Sequence, residues 1–206
     1  MFREVLPKFS ESEIFHDIIE SLVAALEAKD NYTSGHSERV ASMSYELSKG
    51  FGIKGVDLEN IHIAAHLHDI GKIGVPDKVL NKKGKLLPDE WEFIKMHPKI
   101  GYNILSKSIR LKYISEIVLY HHERWDGKGY PEGLAGINIP LGARIIAVCD
   151  SIDAMTSDRP YRKAMGFEEC INEIIINTGL MFAPDIVQYI VDNMNAARKY
   201  LDSKNR

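Results

Sequence analysis

The chain has 206 residues, 45% hydrophobic and 27% charged, an ordinary globular composition with enough length for one well-buried core. Its 26 basic and 29 acidic side chains leave a formal charge of -3, which excludes a global cationic field for a nucleic-acid polymer or an anionic membrane. Two cysteines, Cys149 and Cys170, exclude a disulfide scaffold and a thiolate metal motif and fit a reducing compartment.

Ser10 and Glu13 have the spacing of a capping box, and Ile14, Ile18, Leu22 and Leu26 then recur every four residues up to Lys29-Asp30. A second helix is predicted from about residue 34, with Val40, Met43 and Leu47 on one face and a stop at Gly50 or Gly52. A third covers residues 56–70 and ends at Gly71. After a loop through Pro76 and the run NKKGK, Pro88 suits the first position of a helix, DEWEFIKM, kinked or interrupted at Pro98. Leu111, Ile114, Ile117 and Val118 lead helically into His121. A glycine-rich loop over residues 126–142 precedes a helix at 143–156, and two more over 168–177 and 184–201 complete an all-α chain without strand-type alternation. No stretch approaches the roughly 20 apolar residues of a membrane span, and the start MFREVLPKFSESE has no signal-like apolar run, so a cytoplasmic protein is expected. No repeat or long linker marks a second domain.

The chemistry-bearing residues are the eight histidines: His16, His36, His62, His66, His68, His97, His121 and His122. Most fall at predicted helix ends or beside Gly or Pro. In LHDIGKIG, residues 67–74, His68 and Asp69 point about 100° apart on a helix. They share one ion only at a helix end, or Asp69 bridges two. Lys72, one turn after His68, puts a cation beside whatever binds there. His62 and His66 also share a helix face with Asp69, and spacing alone leaves that set open as a metal site. In HHERWDGKGYP, residues 121–131, glycines let the backbone approach a ligand, while Trp125 and Tyr130 offer flat faces to a purine base or anchor the loop.

LHDIGKIG, HHERWDGKGYP and ARIIAVCDSIDAMTSDRPYR, in that order, make the chain similar to the HD-GYP family of metal-dependent phosphohydrolases. The resemblance runs from about residue 25 to the end. It implies an all-α HD-domain helical bundle with the C-terminal HD-GYP extension, a single catalytic domain over 25–206, preceded by a lead-in and the start of the first helix over 1–24. The implied metal ligands are His36, His68, Asp69, His97, His121, His122 and Asp150. Such a set suits two divalent ions sharing Asp69, iron or manganese first and zinc, nickel or cobalt after them. His36, His68 and Asp150 would serve one ion and His97, His121 and His122 the other. Tyr32 stands where trinuclear relatives carry a glutamate, so two ions are expected. The resemblance favours His68 with Asp69 over His62 and His66.

The implied activity is hydrolysis of cyclic di-GMP to linear pGpG and on to GMP by a metal-activated water. Lys72, Asp69 and Asp153 are the catalytic expectations: Lys72 for the transition state or departing oxygen, Asp153 for orienting a ligand or moving a proton. Gly129, Tyr130 and Pro131 are expected to shape the substrate pocket, and Arg159 and Arg162 to meet phosphates and guanines. Implied partners are a diguanylate cyclase (GGDEF) or regulatory protein and a second copy of the chain, with no nucleic-acid polymer. Rival expectations are another cyclic dinucleotide substrate and a binding module without turnover. Phe182-Ala183-Pro184 departs from the family's Phe-Asp-Pro, which is expected to touch stability before catalysis.

Overall fold

Helical periodicity in the sequence becomes ten α-helices among the described residues of a computed structural model, which covers 11–30, 35–158, 163–195 and 197–198. They are α1 (Glu11–Glu27), α2 (His36–Gly50), α3 (Gly55–Leu67), α4 (Asp77–Leu80), α5 (Pro88–Lys95), α6 (His97–Leu105), α7 (Lys112–Tyr120), α8 (Leu141–Thr156), α9 (Phe167–Ile176) and α10 (Pro184–Asp192). No strand occurs among the described residues; two isolated bridges, Asp126 with Ala135 and Thr178 with Phe182, only pin loops. The fold is the expected all-α HD bundle. Ser10, Tyr32, Arg159 and Arg162 lie outside the described residues.

The helices pack through a branched aliphatic core. Helix α2 lies on α3 and α8, α3 on α7, and α6 on both α7 and the 70–74 turn. Ile61, Ile117, Ile145 and Ile146 are fully buried on these helices, as are Ile174 of α9 and Ile186 of α10. Helix α1 corrects a simple reading of its apolar row. Ile14, Ile18 and Leu22 are 47%, 52% and 44% exposed, and only Leu26 of that row is buried, together with Ile19 and Val23. Two apolar rows compete on that helix, and the position of α3 decides between them. Among the described residues no helix is long and apolar enough to cross a membrane. Cys149 and Cys170 are both buried and free.

Three departures from the predicted boundaries bear on the site. Helix α3 stops at Leu67, and Ile70–Gly74 form a 3₁₀ turn rather than continuing the helix. This turn lies hard against α6: a Cβ on Gly71 would overlap the His97 carbonyl oxygen and sit 2.5 Å from the Gly101 nitrogen. The interruption at Pro98 is a full break, with α5 ending at Lys95 and α6 starting at His97. Proline has no N–H to extend the ladder, so a new helix axis starts there with Pro98 in its first turn. Helix α8 starts at Leu141, two residues before the predicted 143, directly after Pro140.

Because Gly71 meets backbone rather than flexible side-chain ends, Gly71→Ala is expected to destabilise the protein by about 1 to 3 kcal/mol, the usual range for overpacking. Chemical denaturation of the two proteins under identical metal content checks this.

Candidate metal centre

Three histidines stand just past helix ends, His68 and His121 directly after α3 and α7 and His97 two residues after α5 as the first residue of α6, where backbone carbonyls lack helical partners. His68 follows α3 and its Nδ1 lies 2.7 Å from the Ala65 carbonyl. His121 follows α7, with Nδ1 2.7 Å from the Val118 carbonyl. His97 follows α5, and its Nδ1 lies 2.7 Å from the carbonyl of Ile94, the group that Pro98 has no N–H to meet. In each case the ring donates its Nδ1–H to the carbonyl three residues back. That donation fixes the tautomer and leaves Nε2 with a lone pair directed away from the helix. His36 fixes its Nδ1 by another route, donating it to Asp153 Oδ2 at 2.7 Å.

The free nitrogens converge. His36, His68 and Asp69 each bring a ligand atom within 4.8 Å of the others, and His97, His121 and His122 do the same. Asp69 links the two groups. Its Oδ1 lies 3.3 Å from His97 Nε2, and its Oδ2 lies 3.5 Å from His68 Nε2 and 3.9 Å from His36 Nε2. Asp150 Oδ1 is 3.3 Å from His36 Nε2, which places Asp150 beside the first group. The Nε2 atoms of His97 and His121 are 3.3 Å apart. Two nitrogens bound to one ion at about 2.1 Å stand roughly 3.0 to 3.4 Å apart, so this spacing suits shared coordination. His68 Nε2 is buried without a hydrogen-bond partner. A buried orphan nitrogen facing carboxylates, in a set of imidazoles and two acids, fits divalent ions of the first transition row.

The electrostatics divide the site in two. Burial, reinforced by neighbouring imidazoles, pushes His121 well below the usual histidine range and His122 down to about 3, and lowers His97 too. These three rings stay neutral, as ligands must. Burial also opposes charge on His36, but hydrogen bonds to Asp150 and Asp153 outweigh it and raise its pKa to about 10, so an ion bound at Nε2 would take the place of a proton there. Burial disfavours the Asp69 carboxylate, yet Lys72 and then His68, His97 and His36 hold it well below the ordinary range. Lys72 Nζ sits 2.7 Å from Asp69 Oδ2 and 3.2 Å from Asp30 Oδ2. Its own burial works against the charge, and those two acids keep it an ammonium.

Asp153, expected to orient a ligand or move a proton, contacts His36 through Oδ2. It is 3% exposed, and besides His36 it receives Arg39 Nε at 2.6 Å and Arg39 Nη2 at 3.1 Å. Arg39 and Asp30 were not identified from the sequence. Arg39 lies one turn after His36, a spacing that offered a hint, whereas Asp30 meets Lys72 only through the tertiary fold.

The loop after the double histidine is built on a third unforeseen residue, Glu123. It is 3% exposed, and its Oε1 accepts the Glu132 N–H at 2.8 Å and the Gly133 N–H at 3.0 Å. Gly129 is needed for the chain itself: a Cβ there would overlap the backbone of Arg124, Glu123 and His122. Tyr130 N–H donates to the His122 carbonyl at 3.2 Å, and its ring stacks on His122 with centroids 4.9 Å apart. The peptide between Tyr130 and Pro131 is cis. Trp125 packs on the core beneath the Arg144 guanidinium, 5.7 Å from the ring centroid, which makes it a loop anchor. A small cleft beside the centre is lined by His121, His122, Arg124, Asp150, Ser151 and Phe182. Ala183 caps α10 from a buried position without a side-chain hydrogen bond.

The sequence profile of the HD domain family matches residues 20–186. This chain belongs to that family. The three motifs of the HD domain described above all fall inside the matched region. A cyclic di-GMP phosphodiesterase of Thermotoga maritima is 44% identical over 183 residues, covering 87% of this chain and 50% of the relative. A 3'3'-cGAMP-specific phosphodiesterase of Vibrio cholerae is 34% identical over 183 residues, covering 88% and 35%. The chain therefore spans half the length, or less, of these curated relatives. Among solved structures, a cyclic GMP-AMP specific phosphodiesterase of Vibrio cholerae superposes with a TM-score of 0.67 at 18% identity, over 89% of this chain and 50% of that one. That likeness shows the HD fold, and family membership implies divalent metal binding by the His/Asp groups.

If Asp153 holds His36 in its ligating tautomer, Asp153→Asn is expected to weaken metal retention at the His36 group about 10- to 100-fold, the usual cost of losing such a supporting carboxylate. Equilibrium dialysis against a chelator, followed by elemental analysis and read beside the melting curve, measures it.

Proposed function

We propose that residues 25–206 form a metal-dependent phosphodiesterase that opens cyclic di-GMP to linear pGpG, with GMP as the further product. The carrying observation is Asp69, whose two oxygens face two separate groups of convergent histidines. Two divalent ions suit that arrangement, iron or manganese before zinc, nickel or cobalt, and the same residues form the expected ligand set. When bound, such ions supply the Lewis acidity that activates water and draws charge from phosphoryl oxygens.

The chain's own groups serve the rest of the reaction. Formation of a 5'-phosphate in pGpG means that water adds to phosphorus and the P–O3' bond breaks. The departing O3' needs a cation or a proton. Lys72, 18% exposed and held as an ammonium between Asp69 and Asp30, supplies both on the side of Asp69. Arg124, fixed by two hydrogen bonds to Asp126 at 3.0 and 2.8 Å, lines the cleft beside His122 and Asp150 and offers its remaining donors to a phosphate. Tyr130, stacked on His122, closes one wall of the centre, and with Gly129 and Pro131 it shapes the pocket. Arg159 and Arg162 complete the proposed contacts with phosphates and guanines.

Cyclic di-GMP is favoured as substrate by the name of the 44% identical relative. A mixed cyclic dinucleotide is the second reading, favoured by the 34% identical relative named for 3'3'-cGAMP. Initial rates on the two compounds, with chromatographic identification of products, decide between them: the proposal expects a higher kcat/KM on cyclic di-GMP and pGpG as first product. Lys72→Met is expected to keep its metal and lose at least about 100-fold in kcat, the scale of removing one preorganised charge-stabilising donor. Full activity in that variant would remove Lys72 from the mechanism.

A further inference from the structure

The histidines that the metal centre leaves out are not scattered. His62 and His66 stand at i and i+4 on α3, with rings 4.7 Å apart and nearly perpendicular at 78°. His16 of α1 meets His66 edge to face, with centroids 6.0 Å apart at 84°. From α2, Glu38 Oε2 lies 3.7 Å from His66 Nε2. Three helices thus bring three imidazoles and a carboxylate near one another, without the mutual approach of ligand atoms found in the two central groups.

We propose that His62, His66, His16 and Glu38 form a second metal site, which holds a late first-row divalent ion such as zinc, nickel or copper and fastens α1 to the α2 and α3 pair. Imidazoles that share an ion through nitrogens at about 2.1 Å have ring centres roughly 4.5 to 5.5 Å apart. The His62 and His66 rings meet that condition, as do His36 with His68 at 5.3 Å and His97 with His122 at 4.9 Å in the main centre. His62 Nδ1 lies 3.3 Å from the Ala41 carbonyl. That contact assigns Nδ1 as the donor and leaves Nε2 as the ligand atom, the same division found in His68, His97 and His121.

The Glu38 to His66 gap is too long for a hydrogen bond and slightly longer than the spacing of two ligands on one ion, so a small shift of an exposed carboxylate closes it. His16 must turn further. Its side chain is 50% exposed and paired with Glu20, at 3.1 Å one turn along the same helix, so rotation about its own torsions brings its ring toward His66. An imidazole-rich set with one carboxylate suits zinc, nickel or copper over manganese or magnesium. The consequence is mechanical. Among the described residues the buried apolar side chains of α1 are Ile19, Val23 and Leu26 on one stripe, and three residues past its end stands Asp30, a partner of Lys72.

Calorimetric titration with zinc chloride tests the site on protein isolated with its own metals, in the wild type and in His62→Gln and His16→Gln. The wild type is expected to take up one more ion per chain than His62→Gln and to gain melting temperature on zinc addition, a gain that His62→Gln lacks. His16→Gln, altered at an exposed position that leaves the fold untouched, should bind the additional ion at least tenfold more weakly. Hydrolysis by the three proteins before titration should be equal, which separates this site from the one that turns over substrate. Equal stoichiometry and equal melting shifts in all three proteins would overturn the proposal, whatever the outcome for the phosphodiesterase activity.

Discussion

A buried carboxylate that must keep its charge organises this protein. Asp69 is 4% exposed, and an unpaired carboxylate in such a place would lose several kcal/mol of hydration. Lys72 at 2.7 Å compensates it, and Asp30 in turn partners Lys72, so the charge is held by a chain of acid, base and acid that joins α1 to the 70–74 turn. The turn must be tight for Lys72 to come back over Asp69. It is tight because α3 ends at Leu67 and Gly71 presses onto the backbone of α6. One electrostatic requirement thereby dictates a helix end, a glycine and a helix crossing.

The histidines follow from the same helix ends. A helix that stops leaves carbonyls to satisfy, and a histidine placed just beyond the stop satisfies one with Nδ1–H while turning Nε2 outward. His68, His97 and His121 all do this at 2.7 Å, so their orientation is set by backbone before any ion is present. His36 sits at the start of α2, where no carbonyl is free, and needs Asp153 and Arg39 to do the equivalent work. The two halves of the centre consequently differ in charge. One is acidic around His36 and Asp150, and the other consists of neutral rings.

This logic also explains what was legible in the sequence. Helices with strong apolar periodicity and glycine or proline stops, such as α2, α5 and α7, can be placed to within a few residues from local signals alone. The short α4 has too few residues to show a period, and the burial of α1 depends on which of two apolar rows its neighbours cover. The His and Asp residues of the centre are legible through the resemblance that the three motifs carry, since spacing alone left His62 and His66 open as rivals. Their supports do not stand out. Asp30, Arg39 and Glu123 are ordinary surface-type residues whose roles come from partners 42, 114 and 9 or 10 positions away. Gly129, expected to help shape the substrate pocket, is also needed for close approach of the chain to itself, which no local signal shows.

The claim on which the rest depends is that Asp69 joins two ion-binding groups. Elemental analysis of protein purified without oxygen, with and without Asp69→Ala, tests it directly when both are made in a His62→Gln background so that only the central groups are counted. The account predicts about two divalent ions per chain with Asp69 and the loss of both without it, since each group gives up a shared ligand. Retention of one or both ions by the Asp69→Ala protein would contradict it, and the two histidine groups would then be independent sites rather than one centre.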